Sequence, residues 1–244
     1  MKKRFLLILL LCLGWSTLMA QESIVWDFPI KPSSDGWKKL YDQDMKVQAC
    51  KIPIEILPNI STQNLVDLCL NYPLLINITA FSSFQFGMDD FKKNFNGIVE
   101  LYRRNEGPKL LIEKYTNLSP KNFDPNWSSF QKGQYAFNFV ALELLLSQKE
   151  LLDNLSNDEL KRLLVNSLKK FDDKTGLMQI YDDIGLRSLG YLITSIILKV
   201  DPNGIIIPSQ DFKELNAISN SSSMYSNEQL LKIVNLANVI IPKL

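Results

Sequence analysis

The chain has 244 residues, with 27 Lys and Arg side chains, 26 Asp and Glu side chains and no histidine. Histidine supplies the base of Ser-His-Asp and Cys-His catalysis and most catalytic zinc ligands, so its absence excludes those mechanisms. The charges nearly balance and no basic patch is concentrated, which argues against nucleic acid as a partner, because phosphate backbones are bound by many clustered cations.

The first twenty residues have the pattern of a secretory signal peptide. Three basic residues at 2–4 precede an apolar run at 5–13, and residues 18–20 resemble a cleavage site. The apolar run is about half of the roughly 20 residues that a membrane-spanning helix requires. We therefore predict that 1–20 is a leader that is removed, and that the protein is exported to the periplasm or the cell exterior with no later transmembrane segment.

Residues 21–36 are predicted to form an extended N-terminal arm. Pro29 and Pro32 disfavour a helix there, and Trp26 and Phe28 carry aromatic surface that requires burial. Two placements are open for these aromatic side chains. They pack along the protein's own domain, or they form a contact with a partner.

The following segment, 37–117, is predicted to form several short helices. Apolar residues recur at three- and four-residue spacing, which is typical of helices with one buried face. Ser61 is predicted to cap one of these helices, and Pro73 ends it. Residues 117–127, with two prolines, are the predicted boundary to the second half of the domain.

The second half, 128–244, is predicted to contain longer helices. A wide apolar stripe runs through 130–147, and 184–200 is nearly all apolar, as expected for a helix deep in a core. Ser156 with Glu159, and Ser226 with Gln229, match the capping box that begins helices.

Short extended pieces are also predicted, at 177–181 and 205–207, where apolar residues lie next to turn signals. The fold expected from these patterns is all-α. It consists of one helical domain, 37–244, with halves 37–117 and 128–244, and its helix pairs stack into a curved α/α assembly that allows one or two very short strands.

Part of the first half resembles a known group of proteins. The strings that carry the resemblance are CKIP at 50–53, IST at 60–62, CLNYPLL at 69–75 and FNG at 95–97, followed by Glu100 and Leu101. Over about 45–117 the chain is similar to an uncharacterised family of exported helical proteins from gut-type Gram-negative anaerobes. The resemblance implies export and a helical core, and it implies no activity and no catalytic residues.

Cys50 and Cys69 are the only cysteines after the predicted leader. In an oxidising compartment an even number of cysteines suggests a disulfide. Both residues also lie on apolar helical faces, where a free thiol packs as a small apolar side chain. The sequence leaves these two alternatives open.

One catalytic signature appears in fragments. Ser129 with Lys132, and the run 174–176, match two of the three signatures of serine β-lactamases and penicillin-binding proteins, in which a lysine can activate a serine. The third signature is missing, the spacing of about 40 residues is too short, and Ser167 with Lys170 repeats the first pattern elsewhere. We interpret the match as coincidental.

Three pairs of adjacent aspartates are the remaining candidates for chemistry: Asp89 and Asp90, Asp172 and Asp173, and Asp182 and Asp183. Glycoside cleavage requires two carboxyl groups across a cleft, and adjacent residues point in different directions, so a working pair must come from different segments. Charges on solvated loops are the simpler interpretation.

The preferred hypothesis from the sequence is an exported helical scaffold or binding protein that has no catalytic activity and contacts another exported or envelope protein. No catalytic, cofactor-binding or metal-binding residue is assigned, and Trp26 and Phe28 are the candidate partner contacts. The alternative is a carboxylate-dependent hydrolase acting on polysaccharide, which requires two carboxyl groups about 5 to 10 Å apart in a cleft.

Overall fold

The regular structure of the protein is α-helical throughout the residues that the computed structural model describes, 24–219 and 225–244. The predicted leader, 1–20, lies outside them. The helices of the described residues are α1 (Asp35–Lys38), α2 (Gln43–Ala49), α3 (Thr62–Leu70), α4 (Phe84–Asn94), α5 (Asn96–Arg103), α6 (Gly107–Asn117), α7 (Ser129–Leu146), α8 (Lys149–Leu152), α9 (Asn157–Thr175), α10 (Met178–Val200), α11 (Ser209–Ser219) and α12 (Asn227–Ile240). Short 3-10 helices occur at Leu57–Asn59, Leu75–Thr79 and Ile241–Lys243. The predicted all-α class is confirmed.

Serine caps explain where several of these helices begin. The caps predicted at Ser61, Ser156 and Ser226 are confirmed, because each hydroxyl accepts the backbone N–H of the third helical residue of α3, α9 or α12. Ser128 begins α7 in the same way, with Gln131 completing a capping box. Such a cap stabilises a helix by about 1 kcal/mol, so the polar residues between the apolar runs define the ends of the elements.

The N-terminal arm packs against α3. The backbone N–H of Ile24 donates to the carbonyl of Asn59 at 2.9 Å, and that of Trp26 donates to Oδ1 of Asn64 at 2.9 Å. Ile24 and Ile60 form a parallel β-bridge. These contacts lead the arm to Phe28, whose ring enters the core.

The helices of the second half surround α10. This helix packs against α7, α8, α9, α11 and α12, and its side chains are buried on nearly all sides, as its apolar composition predicted. In the first half, α3 packs on α5 and α6, and α4 packs on α5. Helices α3, α4 and α6 also contact α7, so one apolar core runs through both halves.

The short strands predicted at 177–181 and 205–207 are not formed. Residues 178–181 are the first turn of α10. Residues 205–207 lie in a turn where the backbone N–H groups of Ile205, Ile206 and Ile207 donate to the buried carboxylate of Asp201 at 2.7 to 3.0 Å. The carboxylate takes the place of a neighbouring strand as their hydrogen-bond partner, which a pattern of apolar residues does not reveal.

The predicted boundary at 117–127 corresponds to the connection between α6 and α7. Side chains of the second half hold it in place: the Tyr181 hydroxyl donates to the Pro120 carbonyl at 2.5 Å, the Tyr135 hydroxyl donates to that of Ser119 at 2.6 Å, and the Lys170 ammonium donates to that of Leu118. The connection is therefore tied to the helices that follow it.

Across the described residues, every helix is too short or too polar to cross a bilayer.

Candidate functional site

Both cysteines of the described residues are buried free thiols. Burial raises the pKa of Cys50 to about 11 and raises that of Cys69 well above its ordinary value. Because the thiolate is the reactive form of cysteine, these two residues act as small apolar side chains of the core. The structure thus has the second of the two arrangements that the sequence left open, and it forms no disulfide between them.

The arm residues are placed against the protein's own domain. The Phe28 ring is 4% exposed and lies among Tyr72, Phe91 and Phe95, with centroid distances of 6.1 Å to Tyr72 and 5.9 Å to Phe95. We call these four residues the N-terminal aromatic cluster. Trp26 packs edge-on against Phe28 at 5.1 Å and is only partly covered. The Phe28 ring is therefore packed within the protein's own domain, and a partner contact at Trp26 stays a prediction.

The serine and lysine residues of the coincidental signatures do not form dyads in the described part of the chain. The Lys132 ammonium donates to the Pro125 carbonyl at 2.8 Å, away from the Ser129 hydroxyl. The Ser167 hydroxyl donates to the carbonyl of Leu163 at 2.8 Å in its own helix. A serine nucleophile activated by lysine requires the two side chains within hydrogen-bond reach, which neither serine has.

One aspartate of each adjacent pair forms an ion pair with a basic side chain. Asp89 lies 3.1 Å from Lys92, Asp173 lies 2.5 Å from Lys121, and Asp183 lies 3.5 Å from Arg187. Within the described residues no cluster of Cys, Asp and Glu could hold a metal ion.

Two carboxylates from different segments do line one groove, of about 500 Å³, between the arm and α3. They belong to Asp27 and Asp67, and each is paired with a lysine at 2.5 Å, Lys31 and Lys114 respectively. The hydrogen bond from Lys31 lowers the pKa of Asp27. A general acid for glycoside cleavage needs a raised pKa, which is the opposite of the shift at Asp27.

A fully buried ion pair lies at the centre of the second half. The Lys174 ammonium is 2.6 Å from Oε1 of Glu143, and it also donates to the carbonyl of Gly185 at 2.9 Å. The Ser188 hydroxyl donates to Oε2 of Glu143 at 2.6 Å, and the Tyr115 hydroxyl donates to Oε1 at 3.2 Å. We call the four side chains of Tyr115, Glu143, Lys174 and Ser188 the polar network.

Burial dominates the electrostatics of this network. It raises the pKa of Glu143 and lowers that of Lys174, while the attraction between the two charges opposes both shifts. The rings of Phe139 and Tyr181 also face the ammonium, at 5.0 and 5.6 Å from their centroids. All four side chains of the network are fully buried, so no substrate reaches them, and the network is a structural element of the core.

A groove of about 470 Å³ with a mainly apolar lining lies between α7 and α10. The first half of α7 forms one wall with Phe130 and Phe137, and the first turns of α10 form the other with Ile180 and Ile184. Ile76 lies at one end. The side chains of Phe130, Ile76 and Ile184 are 73%, 57% and 39% exposed, respectively.

The apolar surface continues beyond this groove. A smaller cavity of about 40 Å³ shares Thr79 and Ile184 with it and extends to Phe84, Tyr191 and Tyr225. Isolated exposed apolar residues are common on proteins, whereas a contiguous exposed apolar patch is typical of an interaction site. This surface is therefore the candidate functional site.

Two backbone features lie in the walls of the groove. Asp182 has φ 46° and ψ −166°, which makes it the one non-glycine residue with positive φ in 24–219 and 225–244. Its Oδ1 accepts the N–H groups of Ile184 and Gly185 at 2.8 and 3.3 Å, so it caps the longer part of α10. Gly133, in the second turn of α7, has no atom within 4 Å of the position that a Cβ would take, apart from its chain neighbours and the backbone of its own helix.

Sequence patterns alone missed both the network and the groove. Glu143 interrupts an otherwise apolar run at 139–146, and that break in the pattern was the available signal for a buried partner. Gly133 within a predicted helix was a similar signal, because glycine weakens a helix unless its small size is used. No protein-family model, curated protein or solved structure matches the chain.

Proposed function

We propose that this protein is an exported, non-catalytic helical binding protein that contacts another exported or envelope protein through the apolar groove. The observation that carries the proposal is the exposure of Phe130 and Ile76 in a groove whose lining is mainly apolar. Burying such side chains against a partner is favourable by about 25 cal/mol for each Å² removed from water.

The charged groups of the chain support a binding role over a catalytic one. The carboxylate of Glu143 is sealed in the core, that of Asp201 is held by backbone N–H groups, and those of Asp27 and Asp67 are neutralised by lysines. A carboxylate mechanism requires one acid and one base that both face the substrate. These four carboxylates do not meet that requirement.

Site-specific photo-cross-linking tests the proposed function. A photoreactive phenylalanine analogue is placed at Phe130 or Ile76 in cells that make the protein naturally, and at Leu231 as the control. Leu231 is 60% exposed, close to the 57% of Ile76, but it does not line the groove. We expect one and the same cross-linked protein from the two groove positions and none from the control.

The result that would overturn the proposal is the absence of a specific cross-linked protein at both groove positions, or an identical pattern at Leu231. Export is tested separately by measuring the mass of the protein recovered from the periplasm or medium. We expect a chain that begins at or within a residue or two of Gln21, and recovery of the intact leader would contradict export by cleavage.

A further inference from the structure

We infer that the occupant of the apolar groove is an amphipathic helix of the partner protein, which places a basic side chain against Asp182. This inference rests on the proposed function, because it names the partner structure that the same groove takes. It follows from the hydrogen-bonding state of the walls, the free space at Gly133 and the charge at Asp182.

The walls of the groove select a helix over an extended segment. One wall is formed by α7, whose backbone groups beyond the first turn are paired within the helix. The other wall is formed by the start of α10, where the backbone leaves the helical conformation at Asp182 and the Asp182 side chain accepts the N–H groups of Ile184 and Gly185. An extended chain in this groove would find few backbone partners along α7, and an unpaired buried amide group opposes binding. A helix satisfies its own backbone groups and buries only its apolar face, which is how helices dock into grooves.

Gly133 provides the space for close approach. A glycine in the interior of a helix makes the helix less stable than an alanine would, and such a position usually reflects packing. In this structure no atom packs against Gly133, although it lines the groove. The unoccupied surface over α7 is therefore where the backbone of a second helix can come near.

Asp182 supplies the one charge among the described residues that line the groove. Its Oδ1 accepts two backbone N–H groups, and no ion pair of the described residues includes its carboxylate. The neighbouring Asp183 is paired with Arg187 at 3.5 Å. A lysine or arginine at the edge of the docked helix complements Asp182, whereas an acidic residue there is repelled. The strained backbone of Asp182 is the kind of feature that concentrates at binding sites.

The test is a selection from a displayed library of helices against the purified protein. The library has helices of about four turns, with apolar residues varied at positions i, i+3, i+4 and i+7, and one flanking position varied among Lys, Ala and Glu. We expect binders that are enriched in Lys at the flanking position. A matched library in which a central proline breaks the helix is expected to yield none.

Two variants of the protein test whether the selected helices bind in the apolar groove. Gly133→Leu fills the space over α7 without opposing helix formation, and we expect it to weaken the selected helices at least about tenfold, which corresponds to 1.4 kcal/mol. Asp182→Asn is expected to weaken Lys-bearing helices about threefold and to leave their Ala counterparts unchanged, because an exposed ion pair contributes only weakly to binding. Circular dichroism of each variant verifies that it is folded.

Several outcomes would overturn the inference. The first is that the selected helices bind the Gly133→Leu variant as tightly as the wild type. The second is that Lys is not enriched over Glu at the flanking position, and the third is that the proline-broken library yields as many binders as the intact one. A dimer of this chain that Gly133→Leu converts to a monomer would show that a second copy takes the groove, and saturable binding of decanoate alone would show an acyl chain. If Phe130 and Ile76 still cross-link to a protein other than this chain, the proposed function stands and only the helix is excluded.

Discussion

The N-terminal aromatic cluster and the polar network belong to one core, but different interactions hold them. Phe28, Tyr72, Phe91 and Phe95 pack as rings at centroid distances between 4.6 and 6.1 Å, and most of their contacts are apolar. The polar network instead joins four helices, α6, α7, α9 and α10, through directed hydrogen bonds to Glu143. Ring packing tolerates changes of shape, whereas a buried charge tolerates no loss of its partner.

The largest expected effect is in the network. The Lys174→Met substitution leaves the carboxylate of Glu143 uncompensated in the core, so we expect a loss of about 3 to 5 kcal/mol in the free energy of unfolding. Denaturant titration measures it. The double variant Glu143→Leu with Lys174→Met removes both charges and should recover most of the loss. A double variant as unstable as the single one would contradict the comparison.

A smaller effect is expected at Asp201, a second directed polar centre. Burial raises the pKa of Asp201, but N–H donation from 204–207 outweighs it and the net pKa is lowered. The Asp201→Ala substitution leaves these N–H donors without an acceptor, so it should lower the free energy of unfolding by about 1 to 3 kcal/mol at neutral pH. Because the folded pKa lies below the ordinary value of about 3.9, the advantage of the wild type should shrink as the pH falls below about 4. A constant difference in unfolding free energy between pH 7 and 3 would contradict this assignment.

The next effect is a pH dependence at Lys170, which borders the network. Burial lowers the pKa of Lys170 to about 8, so between pH 8 and its ordinary value near 10.4 the unfolded chain binds more protons than the folded one. Stability contributed by this residue therefore rises with pH. From pH 8 to 9.5 we expect the wild type to gain about 1.5 kcal/mol relative to Lys170→Met. Parallel stability curves for the two proteins would show that Lys170 does not titrate in this way.

The smallest effect is expected in the N-terminal aromatic cluster. Phe95→Leu exchanges one large apolar side chain for another, so the loss of unfolding free energy should be about 1 kcal/mol. The same denaturant titration as for Lys174→Met makes the two values directly comparable. If Phe95→Leu lowered the free energy of unfolding as much as Lys174→Met, the aromatic cluster and the polar network would not differ in their tolerance of substitution.

The helices and their starting points were predictable because they depend on local information. Ser61, Ser156 and Ser226 cap helices through hydrogen bonds to residues three positions away, and the apolar spacing of 184–200 predicts a buried helix. The turn at 205–207 was not predictable, since its hydrogen-bond partner is the side chain of Asp201 in place of a strand.

The candidate site was less predictable than the fold. Glu143 and Lys174 are 31 positions apart, and only the packing of α7 against α9 and α10 makes them partners. The groove joins Ile76, Phe130 and Ile184, which come from three distant segments, and residue spacing within one segment carries no information about such a surface. Trp26 and Phe28 were recognised as requiring burial, but the sequence did not distinguish the protein's own core from a partner.

The hydroxyl of Tyr115 joins the parts of the chain that lie before and after the connection between α6 and α7. Tyr115 is in α6, before the proline-containing connection, while the carboxylate to which it donates is in α7, after it. The carbonyls of Leu118 and Pro120 are bound by side chains of the second half in the same manner. Cleavage of the connection would therefore not liberate two autonomous folding units, because each fragment would leave buried donors or acceptors unpaired. Loss of structure on either side is expected to be cooperative with loss on the other.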